Sequence, residues 1–398
     1  MKIAFCSNFL NHHQLSLCQA MQEMGVDFTF VATQPVEDER IALGYHDMNN
    51  TYPFVIRAYE GPDQMNRALE LCDACDAAII GSAPQALVVR RLREGKLTFQ
   101  YAERIYKCGR IFHPRYIASM LYHYGRYYTK PYYLLCASAY AAGDFRSTFS
   151  FSGKTYKWGY FPKTYDYDID RLIEAKYRGG RASILWAGRV LDWKHPEAAL
   201  EVARRLKSDG YDFTLDFIGI GPLETSLKAM TAANGLTDCV RFLGSMPPEQ
   251  VRARMENARL FLFSSDFQEG WGAVLNEAMN SGCAVVASHA IGAVPFLLQD
   301  GENGCVYQYG NQDELYEKVK HLLDHPDVCV RMGKHAYETI CKTWNARVAA
   351  GRLVDAIAFY QKNRRLPEFD AGPLSRAEDV RNDWYVKGNA PGNGLSRT

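Results

Sequence analysis

The sequence has no long hydrophobic run and no excess of charge of either sign, and each absence removes a class of function. No uninterrupted segment approaches the roughly 20 apolar residues that cross a bilayer, and the opening MKIAFCSNFLNHHQ carries too short an apolar run for a signal peptide. The protein is therefore expected to be made and kept in the cytoplasm. With 46 basic and 45 acidic residues the net charge is +1, so nothing global attracts nucleic acid or an anionic membrane, and any membrane contact must come from a local patch. Cys72 and Cys75 form the only CxxC, with no second pair and no nearby histidine. That disfavours a zinc site, and the pair reads better as a helix end with two small apolar residues. Eleven cysteines, an odd number, are scattered through apparent strands and helices, as buried thiols are in a reducing compartment.

What is present is a chain of 398 residues, long enough for two domains that each bury a core. Aromatics make up 13%. Tyrosine is prominent among them and frequent in the first half, which suits a surface for something flat and hydroxylated, although tyrosines also simply pack. The densest stretch is FLFSSDFQEGWGAVLNEAMNSGCAVVAS, residues 261–288. It reads as the end of an apolar strand at 261–264, a glycine-bracketed turn at 269–272, a helix over 273–280 stopped by Ser281 and Gly282, and a second strand at 283–287. In a doubly wound α/β sheet, the loop at the carboxyl end of a strand is the ligand loop. The amides opening the next helix, here over Gly270, Trp271, Gly272, Ala273 and Val274, attract anions and hydroxyl oxygens. Two carboxylates bracket this helix mouth, Glu269 and Glu277. A carboxylate can accept two hydrogen bonds from a vicinal diol, which suits a sugar or ribose better than a bare phosphate. The plainer alternative is a strand, loop and helix with a solvated glutamate at each end.

The spacing Glu-x7-Glu, opened by EGWG and closed by NEAMNSGCAVVAS, resembles the signature of retaining nucleotide-sugar glycosyltransferases of family 4. The resemblance implies the GT-B fold: two Rossmann-like, doubly wound α/β domains facing a cleft, with a C-terminal helix crossing back to the first domain. It also implies that Glu269 lies by the donor sugar and that Glu277 holds the ribose hydroxyls. Further upstream, SILWAGRVLDWKHPEAALEVARRL reads as a strand, a turn at Gly188 and a helix from about Pro196, with proline tolerated in the first turn. Arg189 and Lys194 flank that turn, and two cations at a strand's carboxyl end suit a diphosphate. The resemblance assigns the donor diphosphate to Gly188, Arg189 and Lys194. The loop after VRFLG, at Leu243 and Gly244, is implied to lie against the nucleotide base, largely through backbone atoms. The Gly219 to Gly221 turn is a weak signal that fits tight packing as well as binding.

The first half departs from the family pattern at two places. Its first loop, between the strand at 2–6 and the following helix, has Asn8, Asn11, His12, His13 and Gln14 in place of a glycine pair. Adjacent histidines there read more readily as a polar helix cap than as a metal pair, yet the loop leaves the carboxyl end of the first strand. Topology therefore places Asn11, His12 and His13 on the acceptor side. After the strand at 97–101, where family members carry a histidine, Glu103 and Arg104 stand instead; a surface charge pattern with Lys107 is the competing reading. The segment 110–130, RIFHPRYIASMLYHYGRYYTK, reads either as an aromatic and basic helix at a membrane interface or as a helix packed on the sheet with a hydrated basic face, the commoner outcome.

These readings divide the chain into an acceptor-binding domain at 1–162, a charge-dominated linker at 163–180 and a donor domain at 181–344. A crossover helix follows at 345–363, then a tail at 364–398 without periodicity. The activity implied is metal-independent transfer of a sugar, of the hexosyltransferase class, with retention. It needs no cofactor: the donor is a UDP- or GDP-sugar and the acceptor a glycan or lipid-linked glycan. The sequence offers no convincing Asp-x-Asp at a strand end, so Arg189 and Lys194 would take the metal's task, with Glu269 orienting the sugar. Capsular or exopolysaccharide synthesis, with peripheral contact at the cytoplasmic face of the inner membrane, is the biological expectation. The alternatives are a phosphorylase or epimerase on the same fold, or a sugar-nucleotide-binding subunit without activity.

Overall fold

The chain folds as two parallel-sheet units, and in each the loops at the carboxyl ends of the strands carry the candidate residues. The computed structural model describes residues 1–37, 46–107, 109 and 113–385. One unit comprises residues 1–163 and 343–379, the other 164–342 and the described residues from 380 onward.

In the first unit, short apolar runs form β1 (Lys2–Ser7), β2 (Asp27–Ala32), β3 (Val55–Arg57), β4 (Ala77–Ile80), β5 (Thr98–Ala102), β6 (Tyr132–Cys136) and β7 (Thr155–Lys157). They lie in the order β3-β2-β1-β4-β5-β6-β7, and every strand pair is parallel. Residues such as Ile3, Phe5, Ile79 and Phe99 are buried almost completely, as expected where helices cover both faces of a parallel sheet. Each such side chain contributes about 1.5–3 kcal/mol of burial. The chain order reverses between β1 and β4, so the loops after these two strands flank the crevice of this sheet.

The helix Ala346–Asn363 belongs to this unit although it follows residues 164–342 of the second. It buries Ala349, Ala350, Leu353, Ala356 and Ile357. Beyond it, residues 374–377 run antiparallel along the edge strand β7: Lys157 N donates to Ser375 O at 2.8 Å and Leu374 N to Lys157 O at 2.7 Å. Composition alone predicts an appendage, or a partly disordered tail, from 364; residues 374–377 are held along β7, because its free edge offers backbone partners that composition does not reveal. Residues 386–398 lie outside the described residues.

The second unit carries β8 (Ala182–Ala187), β9 (Phe213–Ile218), β10 (Val240–Phe242), β11 (Leu260–Phe263), β12 (Ala284–Ser288) and β13 (Cys305–Tyr307). Their order is β10-β9-β8-β11-β12-β13, again all parallel. Strand order reverses between β8 and β11. Where charge dominance predicts a linker over 163–180, the structure has the helix Ile169–Tyr177, capped by Asp168 and integral to this unit. Asp170, Arg171 and Glu174 face water while Ile173 is buried. Lys176 is also buried, donating to the carbonyls of Met255 at 2.7 Å and Ala258 at 2.6 Å. Two buried positions in nine residues are too few to show as periodicity. The ten described cysteines are all free thiols, and Cys72 and Cys75 are both buried.

Candidate active site

The loop after β8 is shaped by contacts that leave no room for side chains. Gly188 N donates to Ile218 O and Val190 N to Ile220 O, both at 2.9 Å. A Cβ on Gly219 would lie 1.9 Å from Gly188 O, and one on Gly221 would lie 2.3 Å from Val190 O. The Gly219 to Gly221 turn therefore serves close packing, holding the β8 loop from behind. Leu243 and Gly244 extend the same row of carboxyl-end loops, with Gly244 O accepting from Gly219 N at 2.8 Å.

From this support the chain turns through Asp192–Lys194 and enters the helix Pro196–Ser208. Lys194 Nζ forms an ion pair with Glu269 Oε2, and the two side chains are only 12% and 10% exposed. Ser265 Oγ donates to the same oxygen at 2.9 Å. The Lys194 carbonyl accepts from Ser264 Oγ at 2.7 Å, and that hydroxyl accepts from Trp186 Nε1 at 3.0 Å. A chain of hydrogen bonds thus ties β8, its loop and the β11 loop together. Lys194 Nζ also lies 4.5 Å from the centre of the Trp193 ring, a cation–π contact.

Beyond Glu269 the backbone must make a turn open only to glycine. Gly272 has φ 89° and caps the helix Ala273–Asn280 without a side chain. A Cβ there would meet Phe263 Cζ at 2.5 Å. This leaves the first amides of the helix beside Glu269, since the opening N–H groups of a helix have no partner within it. Gly270 and Trp271 are buried, and the Trp271 indole donates to Asn276 Oδ1 at 2.9 Å. The Trp271 side chain is therefore core, so only its backbone is available for the donor contact expected of it. Ala273 and Val274 are half-buried at the helix mouth.

Arg189 and Glu277 are placed differently from the central pair. Arg189 is exposed on the β8 loop, and among the described residues no ion pair engages it. Glu277 is half-buried, on the same helix that Gly272 opens. Burial pushes its carboxyl above the usual range, against the opposing pull of the Arg252 guanidinium. Arg252 itself bonds the Glu277 carbonyl at 2.8 Å. Lys194 and Glu269 are thus in contact, while Arg189 lies five residues before Lys194 on the β8 loop and Glu277 on the helix that follows Glu269.

Sequence reasoning passed over His195, which lies next to Lys194. Its backbone is left-handed, with φ 48°. Nδ1 lies 2.7 Å from Glu197 Oε1, and Nε2 is 3.0 Å from the Tyr309 hydroxyl and 3.5 Å from Asp266 Oδ2. The hydrogen bond to Glu197 is the main cause that raises its pKa. Nothing in the spacing marks this cluster, because Asp266 and Tyr309 come from segments far along the chain from His195 and Glu197.

In the first unit, the loop after β1 and the loop after β5 are joined by a residue the sequence did not single out. Asn11 is the N-cap of the helix His12–Glu23 and shares a capping box with Gln14. His12 and His13 open that helix, and their rings meet edge to face at 5.3 Å. His13 stacks on Tyr160 at 3.9 Å. The Tyr160 hydroxyl donates to Glu103, whose other oxygen pairs with Lys107. His13 and Glu103 are therefore brought together. Arg104 is not part of this group: it is buried in an ion pair with Asp144, at 3% and 4% exposure. It serves the interior of this unit, which corrects its place among the acceptor-side candidates. Among the described residues, no three His, Cys, Asp or Glu side chains are grouped so as to hold a metal ion.

Residues 170–339 match the family model of Glycosyl transferases group 1. The alpha-D-kanosaminyltransferase of Streptomyces kanamyceticus is 31% identical over 186 residues, covering 46% of this chain and 48% of the relative. The amylovoran biosynthesis glycosyltransferase AmsK of Erwinia amylovora is 34% identical over 137 residues, 33% of each chain. The chain thus spans half or less of the length of these curated relatives. Among solved structures, Anabaena Alr3699/HepE in complex with UDP is similar over 90% of this chain and 100% of its own, with a TM-score of 0.65 at 16% identity. Sucrose-phosphate synthase from Thermosynechococcus elongatus is similar over 91% of this chain and 98% of its own, with a TM-score of 0.62 at 15% identity. At such identities the likeness shows the fold, and the fold is GT-B.

Proposed function

We propose that the protein is a retaining glycosyltransferase that moves a hexosyl group from a nucleotide diphosphate sugar to a hydroxyl acceptor. The observation that carries this reading is the buried Lys194–Glu269 pair beside the glycine-capped mouth of the helix Ala273–Asn280. It sits at the strand-order reversal, where open α/β sheets take their ligands. The match to group 1 glycosyl transferases over these residues supports it, as does the UDP bound in the HepE structure. The donor is a UDP- or GDP-sugar, and no cofactor is required.

In this scheme Glu277 accepts hydrogen bonds from the ribose hydroxyls, and the backbone at Leu243 and Gly244 lies against the base. The amides at Gly270 to Val274 and the Lys194 and Arg189 cations surround the diphosphate. Glu269, fixed by Lys194 and Ser265, orients the donor sugar. The bond from the anomeric carbon to the phosphate oxygen breaks as the acceptor oxygen attacks from the same face, and the acceptor's proton passes to the departing phosphate. Negative charge develops on the diphosphate, where preorganised cations and the helix's positive end stabilise it most. This assigns to Lys194 and Arg189 the task a divalent ion performs in other transferases. On the acceptor side, His13, Tyr160 and Glu103 offer donors and acceptors for a glycan or lipid-linked glycan, as in capsular or exopolysaccharide synthesis at the cytoplasmic face of the membrane.

The deciding experiment incubates the protein with several UDP- and GDP-sugars, with and without glycan acceptors and with and without a chelator. Release of nucleotide diphosphate that acceptor accelerates and chelator leaves unchanged is the expected result. Binding without release identifies a non-catalytic subunit. Interconversion of the sugar without release identifies an epimerase. Inhibition by the chelator removes the metal-independent scheme.

A further inference from the structure

The first unit carries a surface that the sugar-transfer chemistry does not use. Residues 113–157 contain one acidic side chain, Asp144, and it is buried against Arg104. Arg115 and Arg126 are exposed on the same segment, and Lys130 is half-exposed. Four of the eight exposed large hydrophobic side chains among the described residues also fall here: Leu121 at 40%, Tyr122 at 60%, Tyr128 at 69% and Phe149 at 72% exposure. This density of apolar side chains in water, ringed by one sign of charge, marks an interaction surface.

These side chains form one patch. A Cβ on Gly125 would lie 2.8 Å from Leu121 Cδ2 and 3.5 Å from Phe149 O, so the helix Pro114–His123 and the turn at Phe149 abut. Tyr128, Phe149 and Lys154 line one cavity of about 200 Å³. Lys154 Nζ bonds the carbonyls of Tyr128 and Lys130, clamping the two turns together. The Arg126 guanidinium lies over the Tyr122 ring at 4.0 Å.

The backbone at Phe149 shows that its exposure is built in. Phe149 and Phe151 both have left-handed backbones, with φ 59° and 55°, a conformation that bulky residues rarely adopt. Thr148 and Ser150 fix the turn between them, with Thr148 Oγ1 donating to Phe145 O at 2.7 Å and Ser150 N to Phe145 O at 3.1 Å. The result buries Phe151 against Tyr132 at 4.9 Å and directs Phe149 into solvent. Strain of this kind persists where the surrounding structure over-determines it.

We infer that this face docks on an anionic lipid bilayer. Leu121 and Phe149 supply the apolar contact, and Tyr122 and Tyr128 supply rings suited to the headgroup level. Arg115, Arg126 and Lys130 supply attraction to anionic headgroups, with no exposed carboxylate on the segment to oppose it. Among the described residues no helix is long and apolar enough to cross a membrane. Docking goes beyond the sugar-transfer reading and is measured without donor or acceptor, so either can fail alone.

The test is co-sedimentation of the full chain with vesicles of phosphatidylcholine alone and of phosphatidylcholine mixed with phosphatidylglycerol. The expected result is binding to the mixed vesicles only, weakened as salt shortens the screening length from about 30 Å at 0.01 M to about 3 Å at 1 M. Arg126→Ala and Arg115→Ala each lower the partition about fivefold, the effect of one basic residue near an anionic surface. The double variant Phe149→Ser, Tyr128→Ser abolishes binding while thermal unfolding shows a folded chain. Met230→Ser, at an exposed apolar position on the second unit, leaves binding unchanged. If the Phe149 variant fails to fold, the two arginine variants decide. Absence of binding to mixed vesicles, or binding that these substitutions leave intact, overturns the inference. So does concentration-dependent self-association that Phe149→Ser removes in a chain that ignores vesicles, since the face would then serve a second copy.

Discussion

Lys194 and Glu269, 75 residues apart, meet as a buried ion pair beneath the strand-order reversal of the second sheet. Removing one partner strands the other, which costs about 3–5 kcal/mol for a buried pair. Lys194→Met and Glu269→Gln are each expected to lower the denaturant midpoint. The double variant should lose less than the sum of the two, because no stranded charge remains. Sugar transfer falls about 10²–10³-fold in each single variant, the effect of removing one preorganised donor. Additive losses in a double-variant cycle would show that the pair contributes nothing as a pair.

Arg189 gives the opposite signature. It is exposed and unpaired among the described residues, so Arg189→Ala should leave unfolding within about 0.5 kcal/mol of the parent. If the guanidinium meets the diphosphate, transfer drops by at least tenfold, since a charge-assisted hydrogen bond contributes about 1.5–3 kcal/mol. Unchanged kcat/KM in this variant removes Arg189 from the site.

If Glu277 holds the ribose hydroxyls, it links donor affinity to pH. Burial raises its pKa above the ordinary value of 4.5, so it takes up a proton earlier than a free carboxylate as pH falls. A protonated carboxyl accepts less well from a ribose diol. The KM for donor should therefore rise as pH drops through this raised value, with kcat changing less. Glu277→Gln should weaken donor binding at all pH values and flatten the profile. A parent profile that Glu277→Gln reproduces shows that another group is titrating.

His195 and His289 pull stability in opposite directions with pH. The Glu197 hydrogen bond raises His195 above its ordinary 6.5, so its stabilisation is fully present below 6.5 and is lost as pH rises through the raised value. Burial lowers His289 below 6.5. It is held by Tyr309 N donating to Nδ1 at 2.8 Å and by Nε2 meeting Asn382 O at 3.0 Å. Its contribution is present above 6.5 and is lost as pH falls toward the lowered value. Unfolding measured across this range should show His195→Gln removing the alkaline loss and His289→Gln the acid loss. Identical profiles for both variants and the parent would exclude either histidine as a source.

Gly272 tests the helix mouth. Gly272→Ala meets Phe263 at 2.5 Å on a left-handed backbone, whereas Gly310→Ala has the same handedness, φ 83°, with nothing within 4 Å. The Gly310 change should cost about 1–2 kcal/mol, the left-handed penalty alone. The Gly272 change should cost clearly more and lower transfer as well. Equal costs at the two positions would mean that Phe263 yields freely.

The alternation of short apolar runs, glycine turns and helical periodicity makes the doubly wound class readable in the sequence. The helix over 273–280 is a clear case: its stop at Ser281 and Gly282 is a local event, and Gly282 has the left-handed φ of 66° expected of such a stop. The three-residue strands β3 and β7 were not legible, because three residues carry no period and become strands only by pairing with longer neighbours. The helix Ile169–Tyr177 hid behind its exposed charges for a similar reason. At the site, Glu269 and Lys194 stood out through motif and spacing, but Trp271 and Arg104 show the limit of that approach. One faces the core and the other a buried Asp144, and side-chain direction is set by packing.

By itself, the sequence determined where the strand-end loops that hold the candidate residues fall, since strand, glycine turn and capped helix follow from local propensity and backbone sterics. It also determined that carboxylates and cations, with no convincing Asp-x-Asp, would populate them. Only the tertiary structure decided which of them touch. Lys194 meets Glu269, His13 meets Glu103 through Tyr160, and Phe149 is turned outward, because burial, close glycine contacts and competition for hydrogen bonds act across residues far apart in the chain.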